Sequence, residues 1–133
     1  MILLDTHALL WWGTSAEKLG RSARRTIALA DRSRELVVSA ISYLELGNLV
    51  AADRVKLTGT VADFRRRVQS GGILEIPVDG EIAIMASRLE GLHGDPMDRI
   101  IFATALREKA TLVTADAKLL EPRAGPKRVD AQS

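Results

Sequence analysis

The chain has 133 residues, a formal net charge of +2 and no cysteine. That length suits one domain with a single core, and the missing thiols exclude disulfides, thiolate zinc sites and cysteine nucleophiles. The start, MILLDTHALLWW, lacks the basic residues and cleavage site of a leader, and no apolar stretch reaches the ~20 residues of a membrane helix, so a cytoplasmic protein with no membrane partner is expected.

Four short apolar runs alternate with helical patterns. Ile2-Leu3-Leu4 reads as the first strand, followed by a helical stretch through Trp12. Ser15 is placed to cap a longer helix to about Arg32. Leu36-Val37-Val38 is the second strand, with a helix from about Ser42 to Ala52 behind it. Another helix begins after Thr60, with Val61, Phe64 and Val68 on one face. Ile73 to Val78 is the third strand, and Asp79 caps a helix through Leu89. Asp95-Pro96 opens a helix with Met97, Ile100, Ile101, Thr104 and Ala105 at core spacing. Thr111-Leu112-Val113 is the fourth strand. Residues 1–121 are expected to form the domain, and residues 122–133 a tail or an edge strand around Arg128-Val129. The fold class is α/β, with a buried parallel sheet of four or five short strands.

In such a sheet each connecting helix starts at the edge where the strands end, and ligands bind at that edge. Asp5 ends the first strand, and Glu45 lies in the first turn after the second. Asp95 and Asp98 open the helix before the fourth strand, and Asp116 follows that strand. Five acids from four segments therefore fall on one edge. Singly they have plainer explanations. Ser42 to Glu45 has capping-box spacing, Asp95 before Pro96 reads foremost as an N-cap, Asp98 complements a helix dipole, and Asp116 can cap the next helix. Asp5 is the hardest to explain this way. Together they need a cation: two bare carboxylates about 5 Å apart repel by roughly 3 kcal/mol at an effective dielectric of 20. All-oxygen ligands suit Mg²⁺ or Mn²⁺, which activate water and neutralise phosphate oxygens.

Leu3-Leu4-Asp5-Thr6-His7, Ser39 to Glu45, Asp95-Pro96-Met97-Asp98-Arg99 and Leu112-Val113-Thr114-Ala115-Asp116 resemble, in order, the signatures of PIN-domain ribonucleases. The Asp-Pro-x-Asp-Arg block and the Leu-Leu-Trp-Trp after the first aspartate resemble the VapC-type toxin branch of type II toxin–antitoxin systems. The resemblance spans about residues 1–120 and implies a three-layer sandwich. It implies metal ligands at Asp5, Asp98 and Asp116, Glu45 as a fourth catalytic acid and Thr114 in support. It further implies Mg²⁺- or Mn²⁺-dependent endonucleolytic cleavage of RNA by metal-activated water, with the 3′ oxygen leaving. The implied partners are RNA, a small antitoxin protein and a second copy of the chain. Leu119 stands where the family often carries an aromatic residue.

Arg99, beside Asp98, is placed to contact phosphate or to form a surface ion pair. His7 reads as a local structural residue and His93 as a loop residue. Arg21, Arg24 and Arg25, and the run Arg65-Arg66-Arg67, read mainly as solvated helix faces. Trp11 and Trp12 lie about 100° apart on a helix, so one is expected in the core and the other near a groove. Leu44, Leu46, Leu49 and Val50 spread round more than one helix face, which fits a homodimer.

Rival functions fare worse. A phosphatase using Asp5 as nucleophile needs a second aspartate where His7 stands, and no glycine-rich phosphate loop is present. A catalytically inactive binding module of the same fold, and a housekeeping RNA-processing nuclease, remain as alternatives.

Overall fold

A computed structural model describes residues 1–92 and 95–133; His93 lies outside the described residues. Its strands are β1 (Ile2–Leu4), β2 (Leu36–Ser39), β3 (Leu74–Ile76), β4 (Thr111–Thr114) and β5 (Arg128–Asp130). Its helices are α1 (Thr6–Thr14), α2 (Arg21–Arg32), α3 (Ile41–Ala51), α4 (Val61–Ser70), α5 (Gly80–Ser87), α6 (Pro96–Glu108) and α7 (Ala117–Leu120). The strands form one sheet in the order β3-β2-β1-β4-β5, every neighbouring pair parallel. Strand order reverses on either side of β1, which pairs Leu3 with Val37 on one flank and Leu112 on the other. The crevice that such a switch point opens lies beyond the ends of β1 and β4.

Successive strand residues face opposite sides of the sheet, and the core divides accordingly. Leu4, Leu36, Val38 and Val113 pack with Leu9, Ile27, Phe64 and Val68 from α1, α2 and α4. Leu3, Val37, Ile76 and Leu112 pack with Ile82, Ile101 and Phe102 from α5 and α6. Helix layers on both faces give the three-layer α/β sandwich that the alternation implies. Leu119, in place of the aromatic residue, is 1% exposed in the second of these layers.

The structure refines or corrects the sequence reading in four places. The helix expected from Ser15 is broken: a short 3-10 turn (Ala16–Lys18) precedes α2, and Ser15 makes no side-chain cap. The break falls at Gly20, because the end of the chain packs against it. Gly20 N–H donates to the Ala131 carbonyl, and a Cβ there would meet the Ser133 carbonyl oxygen at 1.9 Å. Second, of the two expectations for residues 122–133, the edge strand is the one that forms, at Arg128–Asp130, with Val113 paired to Val129. Third, Ser42 and Glu45 form no capping box: α3 begins one residue earlier, Ala40 is its N-cap, and the Ser42 hydroxyl accepts from Thr6. Fourth, neither tryptophan is fully buried; both pack half-buried against the α1 side of the core.

Candidate active site

The acids reach the crevice by different local routes. Asp5 leaves β1 and caps α1, its Oδ1 accepting the Ala8 N–H at 2.8 Å. Its Oδ2 accepts the Thr114 hydroxyl at 2.5 Å, and the Thr114 oxygen in turn accepts the Asp116 N–H at 3.0 Å. One buried hydroxyl at the end of β4 thus ties the first acid to the last. Asp116 caps α7 through the Lys118 N–H at 2.9 Å. Asp95 caps α6 through the Asp98 N–H at 2.9 Å, and Pro96 takes the first helical position, where no N–H is needed.

All five acids line one cleft of about 560 Å³, with His7, Trp11, Arg54, Ile101, Ala115 and Lys118. Glu45, Asp95 and Asp98 each present a carboxylate oxygen there, within 4.8 Å of one another. Asp5 is only 7% exposed. Its burial pushes the carboxyl up to about 6, against the pull of the Thr114 and Ala8 donors and of His7, with a further push from Glu45. Asp98 is pushed up to about 7, first by burial and then by the charges of Asp95, Asp116, Glu45 and Asp5. Raised carboxyls crowded together are the signature of a site short of positive charge. The donor set is entirely oxygen and fits a hard divalent cation, Mg²⁺ or Mn²⁺, rather than zinc or copper.

Arg99 has neither of its expected roles. Its guanidinium donates to the carbonyls of Ala86, Leu89 and Leu92, closing the end of α5 and the segment that follows. That use fastens the base of α6, which carries Asp95 and Asp98. His7 is exposed, and its ring meets Trp11 at 5.9 Å and 57°. The arginines of α4 stay outside the cleft: Arg65 forms a two-pronged pair with Glu75, Arg66 pairs with Asp63, and Arg67 donates to the Thr58 carbonyl.

Two charged lining residues escaped the sequence reading. Asp95 was placed at this edge with the cap as its foremost role, and the structure gives it both the cap and a place beside Glu45 and Asp98. Lys118 follows Asp116 by two residues and sits at the same sheet edge, which was a usable signal. Arg54 comes from beyond the far end of α3, where a helix running back along the sheet points away from the crevice. Elsewhere on the surface, Leu9, Trp12, Phe64, Arg67 and Val68 line a second, smaller groove of about 220 Å³.

A family model described as the PIN domain matches residues 2–124. Ribonuclease VapC22 of Mycobacterium tuberculosis (strain ATCC 25618 / H37Rv) is 33% identical over 123 residues, 92% of each chain. Among solved structures, a chain of VapBC2 from Rickettsia felis bound to a promoter DNA fragment is 19% identical with a TM-score of 0.67, covering 98% of this chain and 100% of that one. A chain of a toxin–antitoxin complex from Klebsiella pneumoniae is 20% identical with a TM-score of 0.64, covering 98% of each. At those identities the structural matches establish the fold.

Proposed function

The chain belongs to the PIN-domain family, and from that premise we propose that it is a metal-dependent endoribonuclease acting as the toxin of a toxin–antitoxin pair. The observation that carries the reading is the meeting of Asp5, Glu45, Asp95, Asp98 and Asp116, from separate segments, in one cleft. Asp5, Asp98 and Asp116 are assigned as metal ligands, and Glu45 as the further catalytic acid. Mg²⁺ or Mn²⁺ supplies water activation and neutralisation of phosphate charge there.

The chain's own residues do the rest. The Thr114 hydroxyl holds Asp5 in one rotamer and fixes the turn that carries Asp116. Asp95 caps α6 at the Asp98 N–H and so fixes the backbone turn that carries the Asp98 carboxylate. Glu45 has no cap to serve and is left facing the other acids, placed to take a proton from the attacking water. Retention of every acid, on a scaffold that brings them together, weighs against an inactive binding module.

The toxin role rests on the VapC22 relative and on the assemblies to which the structural neighbours belong. An antitoxin is expected to place an arginine or lysine among the carboxylates. One of its helices would lie in the apolar groove beside Trp12. A homodimer belongs to the same reading: Leu44 on α3 and Ile84 on α5 leave 55% of their surfaces exposed in the single chain. The test is expression in a bacterial host. The chain alone should arrest growth, and its Asp98→Asn variant should not. A harmless chain whose purified form still cuts cellular RNA would make a housekeeping processing role the better reading.

A further inference from the structure

The cleft carries more than carboxylates. Arg54 and Lys118 line it from separate segments, the turn after α3 and the first turn of α7. Both are exposed, and among the described residues neither lies within salt-bridge distance of a carboxylate, although five carboxylates share their cleft. Two cations kept beside acids without pairing to them remain free to meet an anion. Trp11 lines the same cleft from α1, half-buried, with His7 one helical turn earlier and tilted against it. At 1.5 Å per residue, Trp11 lies about 9 Å along α1 from the Asp5 cap. An aromatic face at that reach, in a cleft that basic side chains also line, is what a stacked base and its phosphates require.

Building on the nuclease reading, we propose that the cleft rim is an RNA grip that fixes the register of cleavage. An unpaired base stacks on Trp11, with His7 bracing the ring, and Arg54 and Lys118 hold the phosphates that flank the acidic floor. The arrangement answers an electrostatic difficulty. Carboxylates repel the polyanion they must cut, and flanking cations hold the strand while the cation-filled floor takes one phosphate. A base already stacked in a duplex cannot lie on Trp11, so the grip selects unpaired RNA.

The chain has two tryptophans, so a Trp12→Phe background leaves Trp11 as the sole reporter. In that background, with Asp98→Asn added to slow cutting and Mg²⁺ present, a single-stranded oligoribonucleotide should quench Trp11 fluorescence. The same sequence annealed into a duplex should not. Trp11→Ala should weaken single-strand binding about 10- to 100-fold and raise KM for cleavage, with Trp11→Phe retaining most of both. Arg54→Ala and Lys118→Ala should each lower the salt slope of binding by about 0.7. The rise in melting temperature on adding Mn²⁺ should persist in all three alanine variants. Unquenched Trp11 and an unaltered KM in Trp11→Ala, in a chain that cuts RNA with Mg²⁺, overturn the grip and leave the nuclease reading standing. Equal quenching by the duplex overturns it as well. A chain that neither binds nor cuts RNA overturns both.

Discussion

Replacing Asp5 with asparagine should stabilise the metal-free protein while abolishing its response to metal. Asp5 is buried, and its carboxyl lies at about 6 against an ordinary 3.8. The gap of about two units, at about 1.4 kcal/mol each, amounts to about 3 kcal/mol. Because the folded value is the higher one, that stability is present below pH 3.8 and is lost as pH rises through 6. Asparagine keeps one local bond and reverses the other. Its oxygen can accept the Ala8 N–H, its amide can donate to the Thr114 oxygen, and asparagine caps helices as well as aspartate does. What it lacks is a charge to bury. At pH 8 in EDTA, Asp5→Asn should therefore melt higher than the parent chain by up to roughly 10 °C, with the difference shrinking to nothing near pH 4. Mn²⁺ at a thousandfold excess over its Kd should reverse the order, since it adds about 4.1 kcal/mol to a chain that binds it. Calorimetry across pH 4–8, with EDTA or Mn²⁺, measures all of this. An Asp5→Asn variant no more stable than its parent at pH 8 in EDTA would refute the account of an overcharged, cation-seeking cleft.

Asp98→Asn should fold normally and lose at least 10- to 100-fold in RNA cleavage, read from initial rates on a labelled transcript. Mn²⁺ affinity by titration calorimetry should rise with pH through the range 6 to 7 and then level off, because the cation displaces protons from Asp5 and Asp98, whose carboxyls sit at about 6 and about 7. At Asp95 two variants separate two roles: Asn keeps the α6 cap and Ala removes it at a cost of about 1 kcal/mol. Both should weaken Mn²⁺ binding if the carboxylate also serves the site, and an Asn variant with unchanged affinity would reduce Asp95 to a cap alone.

Much of the site was legible because parallel topology turns sequence order into spatial order. Asp5, Glu45, Asp98 and Asp116 each follow a strand or open a helix at the same edge, so their meeting could be inferred without coordinates. What escaped has a common physical cause: a side chain with two partners shows only the nearer one in sequence. Asp95 was placed at the same edge, but its complete N-cap signature put the cap foremost and gave no sign that it also closes on Glu45. Arg99 adjoins an acid in sequence, but its five donors find three carbonyls at the end of α5, which only the packing of α5 against α6 brings near. The Ser42–Glu45 spacing imitated a capping box because the true start of α3 is set by tertiary contact, the Thr6 hydroxyl donating to Ser42. Gly20 likewise breaks a helix for a residue more than a hundred positions away, and no local pattern records that.

The central claim is that this acidic cleft cuts RNA through a bound divalent cation, and the chemistry of the cut ends tests it most directly. Purified protein incubated with RNA and Mg²⁺ should leave 5′ phosphates and 3′ hydroxyls, and EDTA should stop the reaction. Cleavage that persists in EDTA and leaves 2′,3′-cyclic phosphates would contradict the account.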